Sequence, residues 1–342
     1  MPELPEVETV KNGLQKLLVN KKILSVDFDW LKSFPNPEND VNLFLIGSKI
    51  IDVRRRAKVL MIDLDTEYSL VIHLKMTGQL VYRGKENFGA GHPNDSLIGE
   101  LPDKSTRVIV RLNIENRANG SETDTRKQRE ESKSYAWYDE RASQEADKVD
   151  DQKRWTSFGL APKALRRGPS LYFNDQRKFG WMRLLPTIQI SELDFFKKVG
   201  PEPLDSKYTA NILFKDMQRR KNSVVKAVLL DQTIVAGVGN IYADESLWGA
   251  KIHPSTLVKD INKKRIDVLF KELQFVLNLA IEKGGSTDKN YVNAEGKRGS
   301  YMDFARVFRR EKLPCPRCGT TIEKIRVATR GTHICKTCQV IM

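Results

Sequence analysis

No apolar run in the 342 residues approaches the roughly 18 needed to cross a bilayer, which excludes a helical integral membrane protein. The start, Met1-Pro2-Glu3-Leu4-Pro5-Glu6, lacks the basic residues and apolar stretch of an export signal, so the chain is expected to stay inside the cell, where disulfides are rare. Cysteine is missing before Cys315, and no internal repeat is visible. Residues 113–155 are poor in aliphatic β-branched side chains, with Ile114 and Val149 alone, and carry 9 Lys or Arg against 11 Asp or Glu without a sustained period. They read as a solvated, mobile insertion reaching to about residue 165.

What is present is a globular composition, 40% hydrophobic, on a chain longer than the roughly 100 to 200 residues of one domain. Lys and Arg total 58 against 44 Asp and Glu, a net +14, and residues 200–342 hold 25 of the former against 15 of the latter. That excess favours a polyanionic partner, nucleic acid or an anionic surface, and places its docking face in the later part of the chain.

Pro5 followed by Val7, Val10, Leu14 and Leu17 predicts a leading helix with Glu6 and Glu8 in its first turn, where the helix dipole favours them. Val59-Leu60-Met61-Ile62-Asp63-Leu64, Leu70-Val71-Ile72-His73-Leu74 and Gly78-Gln79-Leu80-Val81-Tyr82 predict strands. Arg107-Val108-Ile109-Val110-Arg111-Leu112 and Ser170-Leu171-Tyr172-Phe173 predict a hairpin whose turn the insertion lengthens. Gly200-Pro201-Glu202-Pro203 ends this β-rich sandwich. Beyond it, residues 223–230 and 240–248 predict helices, and Ile266, Leu269, Phe270, Leu273, Leu277 and Ala280 share a face of another.

Cys315-Pro316-Arg317-Cys318 and Cys335-Lys336-Thr337-Cys338 have the spacing of a four-thiolate zinc knuckle pair. Four protein ligands leave no open position, so one zinc would be structural and fix a β-hairpin. Two redox C-x-x-C pairs are the competing reading.

Pro2-Glu3-Leu4-Pro5-Glu6-Val7-Glu8-Thr9, Arg55-Arg56-Ala57-Lys58, His73-Leu74-Lys75-Met76-Thr77-Gly78, Asp175-Gln176-Arg177-Lys178-Phe179-Gly180, Gly237-Val238-Gly239-Asn240-Ile241-Tyr242-Ala243 and the cysteine hairpin, in this order, resemble formamidopyrimidine-DNA glycosylases. Lys178, where the family often has Arg, and the charged insertion depart from the pattern. The resemblance implies an α+β fold: an N-terminal β-sandwich with a leading helix (1–195), a helical domain with a helix-two-turn-helix (200–310), and a zinc-finger β-hairpin (311–342). It implies a monomer working on damaged double-stranded DNA, with no membrane partner, as a bifunctional glycosylase and abasic-site lyase for oxidised purines.

Removal of Met1 would free the secondary amine of Pro2, and α-amino groups, with pKa about 7.7 to 8.0, are neutral far more often than lysines near 10.4. The resemblance makes Pro2 the nucleophile that forms a Schiff base at the sugar, followed by β,δ-elimination, and Glu3 the general acid and base. It places Lys58, His73, Asn240 and Arg330 on phosphates, with Lys58 next to the lesion. It assigns Met76, Arg177 and Phe179 to filling the gap left by an extruded base. Taken singly, Lys58 reads as a surface cation, His73 as a strand residue, Asn240 as a helix cap, and Met76 and Phe179 as core. The stretch from Gly284 to Tyr301 would close as a lid or rest as a passive loop. An endonuclease VIII-like enzyme for oxidised pyrimidines and a non-catalytic zinc-ribbon DNA-binding or ribosome-associated protein remain the alternatives.

Overall fold

The computed structural model describes residues 2–92, 94–113, 155–159, 168–286 and 301–341. Most of the expected insertion, and the expected lid from residue 287 to 300, lie outside the described residues. The chain divides into two compact units, Val7–Ser191 with Pro2, and Glu3–Glu6 with the described residues from Glu192 onward. Among the described residues no helix is long and apolar enough to cross a membrane.

The first unit is a sandwich. Its strands are β1 (Ile23–Phe28), β2 (Ile50–Arg56), β3 (Val59–Leu64), β4 (Tyr68–His73), β5 (Gly78–Arg83), β6 (Asn87–Gly91), β7 (Thr106–Leu112), β8 (Thr156–Gly159), β9 (Ser170–Asp175) and β10 (Trp181–Pro186). They form two sheets, β6-β5-β9-β7-β1-β8 and β10-β4-β3-β2, with antiparallel neighbours throughout. Period-two alternation explains the packing: Val108, Val110 and Leu112 of β7 enter the main core, while Ile109 between them joins Val81, Leu97 and Tyr172 on the other face. Leu60, Ile62, Ile72 and Met182 from the second sheet meet Leu80, Val110 and Phe173 from the first in one core. The leading helix, Leu4–Leu18, adds Val7, Val10, Leu14, Leu17 and Leu18, spaced three and four apart as one helical face requires. The expected hairpin of β7 and β9 is present, with Val110 opposite Leu171. Its long connection also holds β8, which pairs with β1 and whose short, polar sequence gave no strand signal.

The second unit starts helical. Helices Ala210–Gln218, Val225–Leu230, Asn240–Gly249 and Lys263–Glu282 share a core of Leu213, Val228, Leu229, Tyr242, Leu247, Leu269, Leu273 and Leu277. Asn262 caps the last of them, its side chain accepting the Arg265 N–H at 3.0 Å. Helix Asn240–Gly249 is buried at every residue from Tyr242 to Trp248, although it carries Asp244 and Glu245. Strands β11 (Glu323–Val327) and β12 (Arg330–Ile334) form the terminal hairpin. The residues at its tip, Ala328 and Thr329, both have positive φ, 50° and 62°.

Candidate active site and metal centre

In the first unit, Asp175 organises the turn that carries Arg177, Lys178 and Phe179. Its fully buried carboxylate accepts N–H groups of Arg177 (3.1 Å), Phe179 (2.8 Å) and Gly180 (2.6 Å), and the hydroxyl of Thr77. Thr77 also accepts the Arg177 N–H at 3.2 Å, so the β4–β5 and β9–β10 turns are tied together. The ties bring three expected residues into one group: Arg177 donates to the Met76 sulfur at 3.1 Å, and its guanidinium lies 4.8 Å from the Phe179 ring centroid. Met76 is 39% and Phe179 52% exposed, so neither is a core side chain. Lys178, with φ of 55°, goes elsewhere and lies 4.3 Å over the Trp30 ring.

Lys58 sits at the tight β2–β3 turn after Ala57 and is buried. Val59, the next residue, pairs across the sheet with His73, which burial, then the charges of Lys75 and Lys58, drive down to about 3. Its ring is therefore neutral near pH 7, and Nδ1 accepts the Lys75 N–H at 2.9 Å, which leaves Nε2 as the donor. Burial, then Arg183, lowers Lys75 as well. Partly desolvated cations beside a neutral donor suit an anionic group. Pro2 is buried.

In the second unit, the first turn of the leading helix is seated by residues 237–242. Glu6 reaches back to accept the Glu3 N–H at 2.8 Å, the carboxylate half of a capping box. Its other oxygen accepts the Tyr242 hydroxyl (2.6 Å) and the Ser286 N–H (2.8 Å). Burial, then the Glu6 and Glu3 carboxylates, hold the Tyr242 phenol well above its ordinary pKa, so it stays a donor. Glu3 itself turns away from its own helix: Oε1 accepts the Ile241 N–H (3.0 Å) at the start of helix Asn240–Gly249, where the dipole favours a carboxylate. A Cβ at Gly239 would lie 2.2 Å from Glu3 Cδ, and one at Gly237 (φ 85°) 2.6 Å from Leu4, so both positions need glycine. Asn240 donates to the Gly331 carbonyl at 3.0 Å, beside Arg330, which opens β12 and is exposed.

The four cysteines converge. Their sulfurs all lie within 4.8 Å of one another, with separations of 4.0 Å (Cys315–Cys338) and 3.4 Å (Cys318–Cys335 and Cys318–Cys338), and none is in a disulfide. Tetrahedral zinc with bonds of 2.3 Å needs sulfurs about 3.8 Å apart. Separate redox pairs would not bring the two motifs together. Hydrogen bonds from Thr320 hold Cys318 down to about 6, whereas burial and the neighbouring Cys318 and Cys335 push Cys338 up to about 12. Thiols so placed oppose one another's ionisation, and a divalent cation removes the conflict by taking all four as thiolates. One structural zinc fits.

Sequence reasoning missed the groups that stake the hairpin. Fully buried Lys226 and Asp244 pair at 2.6 Å, and Lys226 also donates to Thr332 Oγ1 at 2.6 Å while Asp244 accepts the His333 N–H at 2.9 Å. Adjacent Glu245 accepts the N–H groups of Arg306, Val307 and Phe308 at 2.8 to 3.1 Å. Burial, partly offset by Asp244, lowers Lys226. The available signal was two consecutive acids in a helix that also carries Ile241, Ala243, Leu247 and Trp248, since buried charges require partners.

Family models match three segments: the formamidopyrimidine-DNA glycosylase N-terminal domain over residues 1–130, its H2TH domain over 199–291, and a zinc finger found in FPG and IleRS over 312–340. Formamidopyrimidine-DNA glycosylase of Pediococcus pentosaceus is 35% identical, covering 100% of both chains, and that of Desulforamulus reducens is 34% identical, covering 99% of each. Among solved structures, the Lactococcus lactis enzyme bound non-covalently to DNA with an abasic site aligns with TM-score 0.71 at 26% identity, covering 98% of this chain and 99% of that one. The same enzyme with DNA containing N7-benzyl-Fapy-dG gives TM-score 0.73 at 27% identity and 99% coverage of each. Related along its whole length to these enzymes, the chain belongs to the formamidopyrimidine-DNA glycosylase family.

Proposed function

We propose that the protein is a bifunctional DNA glycosylase and abasic-site lyase of base excision repair, which excises 8-oxoguanine and formamidopyrimidines from duplex DNA as a monomer. The observation that carries the chemistry is the seat of Glu3. Glu6 takes over capping of the leading helix, and a glycine cradle brings the Glu3 carboxylate to a helix start, next in sequence to Pro2.

Once Met1 is removed, the Pro2 nitrogen attacks the sugar C1′. The C1′–N bond breaks and the damaged base leaves with its electron pair and a proton. Glu3 protonates the ring oxygen as the sugar opens, giving an iminium between Pro2 and C1′. That iminium draws electrons from the adjacent carbon, so loss of a C2′ proton expels the 3′ phosphate, and a second elimination expels the 5′ phosphate. Hydrolysis of the iminium restores the amine. Extruding a nucleotide costs a few kcal/mol. The exposed Met76, Arg177 and Phe179 group offers an apolar wedge, a donor for the orphaned base and a ring to stack. Lys58, His73, Asn240 and Arg330 hold phosphates, and the zinc keeps the Arg330 hairpin folded without entering the reaction. The place of action is wherever the cell keeps its DNA.

Borohydride trapping on an 8-oxoguanine duplex tests this. A covalent adduct is expected, mapped by peptide mass spectrometry to Pro2, and lost in a chain carrying an extra residue before Pro2, whose nitrogen is then an amide. An adduct on a lysine, or trapping that survives the block, sinks the mechanism. Salt-sensitive binding with no adduct makes the protein a non-catalytic DNA binder. Because a related structure holds DNA with an oxidised pyrimidine, the panel includes that lesion, and faster excision there supports the endonuclease VIII-like reading.

A further inference from the structure

Helix Asn240–Gly249 ends at the metal knuckles, and Trp248 is its last large side chain. The residue is 5% exposed and packs in a small cluster with Val307, Cys315, Ile322 and Cys335, which includes a ligand from each C-x2-C pair. Two guanidinium groups lie over its ring, that of Arg317 at 3.9 Å from the centroid and that of Arg306 at 4.9 Å. Arg317 belongs to the first knuckle, between Cys315 and Cys318, and also donates to the carbonyls of Trp248 (3.0 Å) and Gly249 (3.3 Å) at the helix end. Arg306 is held by Glu245 and by Glu272 at 2.9 Å.

The indole N–H is buried and has no hydrogen-bond partner among the described residues. Such donors are rare. Cys315 packs in the same buried cluster as the ring, and Arg317, which follows it by two residues in the first knuckle, is bonded to the Trp248 carbonyl, so a sulfur acceptor lies in the immediate surroundings of this N–H. A zinc-bound thiolate is a better acceptor than a thiol, because it carries the charge that an N–H dipole stabilises.

We infer that Trp248 is a positioning residue for the structural zinc: its N–H is the donor to the Cys315 thiolate, and its ring, clasped by Arg317, fixes the first knuckle for the metal. Groups that orient metal ligands in this way commonly change metal affinity by 10-fold to 100-fold when removed.

The test uses the full-length zinc protein in which Trp248 is replaced by its benzothiophene isostere, which keeps ring shape and stacking and lacks only the N–H. Zinc release to a chromophoric chelator is expected to accelerate about 10-fold, and the sulfur-to-metal charge-transfer band of the cobalt-substituted protein to shift. Trp248→Phe, with folding checked by circular dichroism, is expected to release zinc faster still because it also loses area for Arg317. Release within about twofold of the unmodified protein together with an unchanged cobalt band in the isostere would overturn the inference and leave Trp248 as packing alone.

Discussion

Two turns present candidate site residues, one linking strands of the two sandwich sheets and one closing the terminal hairpin, and they are held by different forces. The β9–β10 turn with Arg177 and Phe179 stands on ten strands that bury a large shared apolar core. The β11–β12 turn beside Arg330 stands on two five-residue strands, of which β11 buries only Val327 and β12 only Thr332, His333 and Ile334, over a cluster of a few side chains. An isolated two-stranded hairpin is marginal in water. The second tip therefore depends on discrete bonds, namely four thiolates on a metal, the Lys226–Asp244 pair and the carboxylate of Glu245. A tip resting on many weak contacts tolerates loss of one, and a tip resting on a few strong ones does not.

The largest effect is expected from chelating the zinc. Hydrogen exchange should show β11 and β12 losing protection while β3, β4 and β9 keep theirs, and uniform loss across both would break the comparison. Next comes Asp244→Asn, which leaves the Lys226 charge buried without its counter-charge and should cost about 3 to 5 kcal/mol in denaturant titrations, with DNA binding expected to weaken in parallel. Asp175→Ala removes the acceptor of the Phe179 and Gly180 N–H groups and one of two acceptors of the Arg177 N–H, and about 2 to 4 kcal/mol of destabilisation is expected. Since the sandwich core remains, weaker discrimination of damaged from intact duplex should appear before global unfolding does.

Acid offers a smaller test. His73 titrates near 3 in the fold and near 6.5 in an unfolded chain. Between those values the unfolded chain takes up a proton that the fold refuses, so this residue's contribution, complete above about pH 6.5, is lost as pH falls toward 3. A His73→Gln variant should show a flatter stability profile in that window, and an unchanged slope would exclude His73 as the source. The smallest effect is expected from Thr329→Gly. A β-branched residue at φ 62° is strained, and relief should stabilise the hairpin by about 1 kcal/mol.

Much of this was legible in the chain itself. The strand at Val59–Leu64 and the long helix around Ile266 to Ala280 follow from period, because burial on one face or both writes itself into residue order. The cysteine spacing announced its metal. β8 was not legible, since in four residues only Phe158 packs inward, against Phe28, and the strand pairs because β1 offers an edge. Nor was the division of labour between Glu3 and Glu6: both read as acids at a helix start, and only contacts with residues more than two hundred positions away separate a cap from a candidate catalyst.

The sequence by itself determined the elements, the metal ligands and the family, because these rest on local spacing and on residue types that admit few chemistries. Tertiary structure alone decided which charges are buried and paired, that two separate turns bring Met76, Arg177 and Phe179 together, and where the Glu3 carboxylate is held. Those outcomes depend on distances between residues far apart in the chain, and desolvation and hydrogen bonding are functions of distance in space.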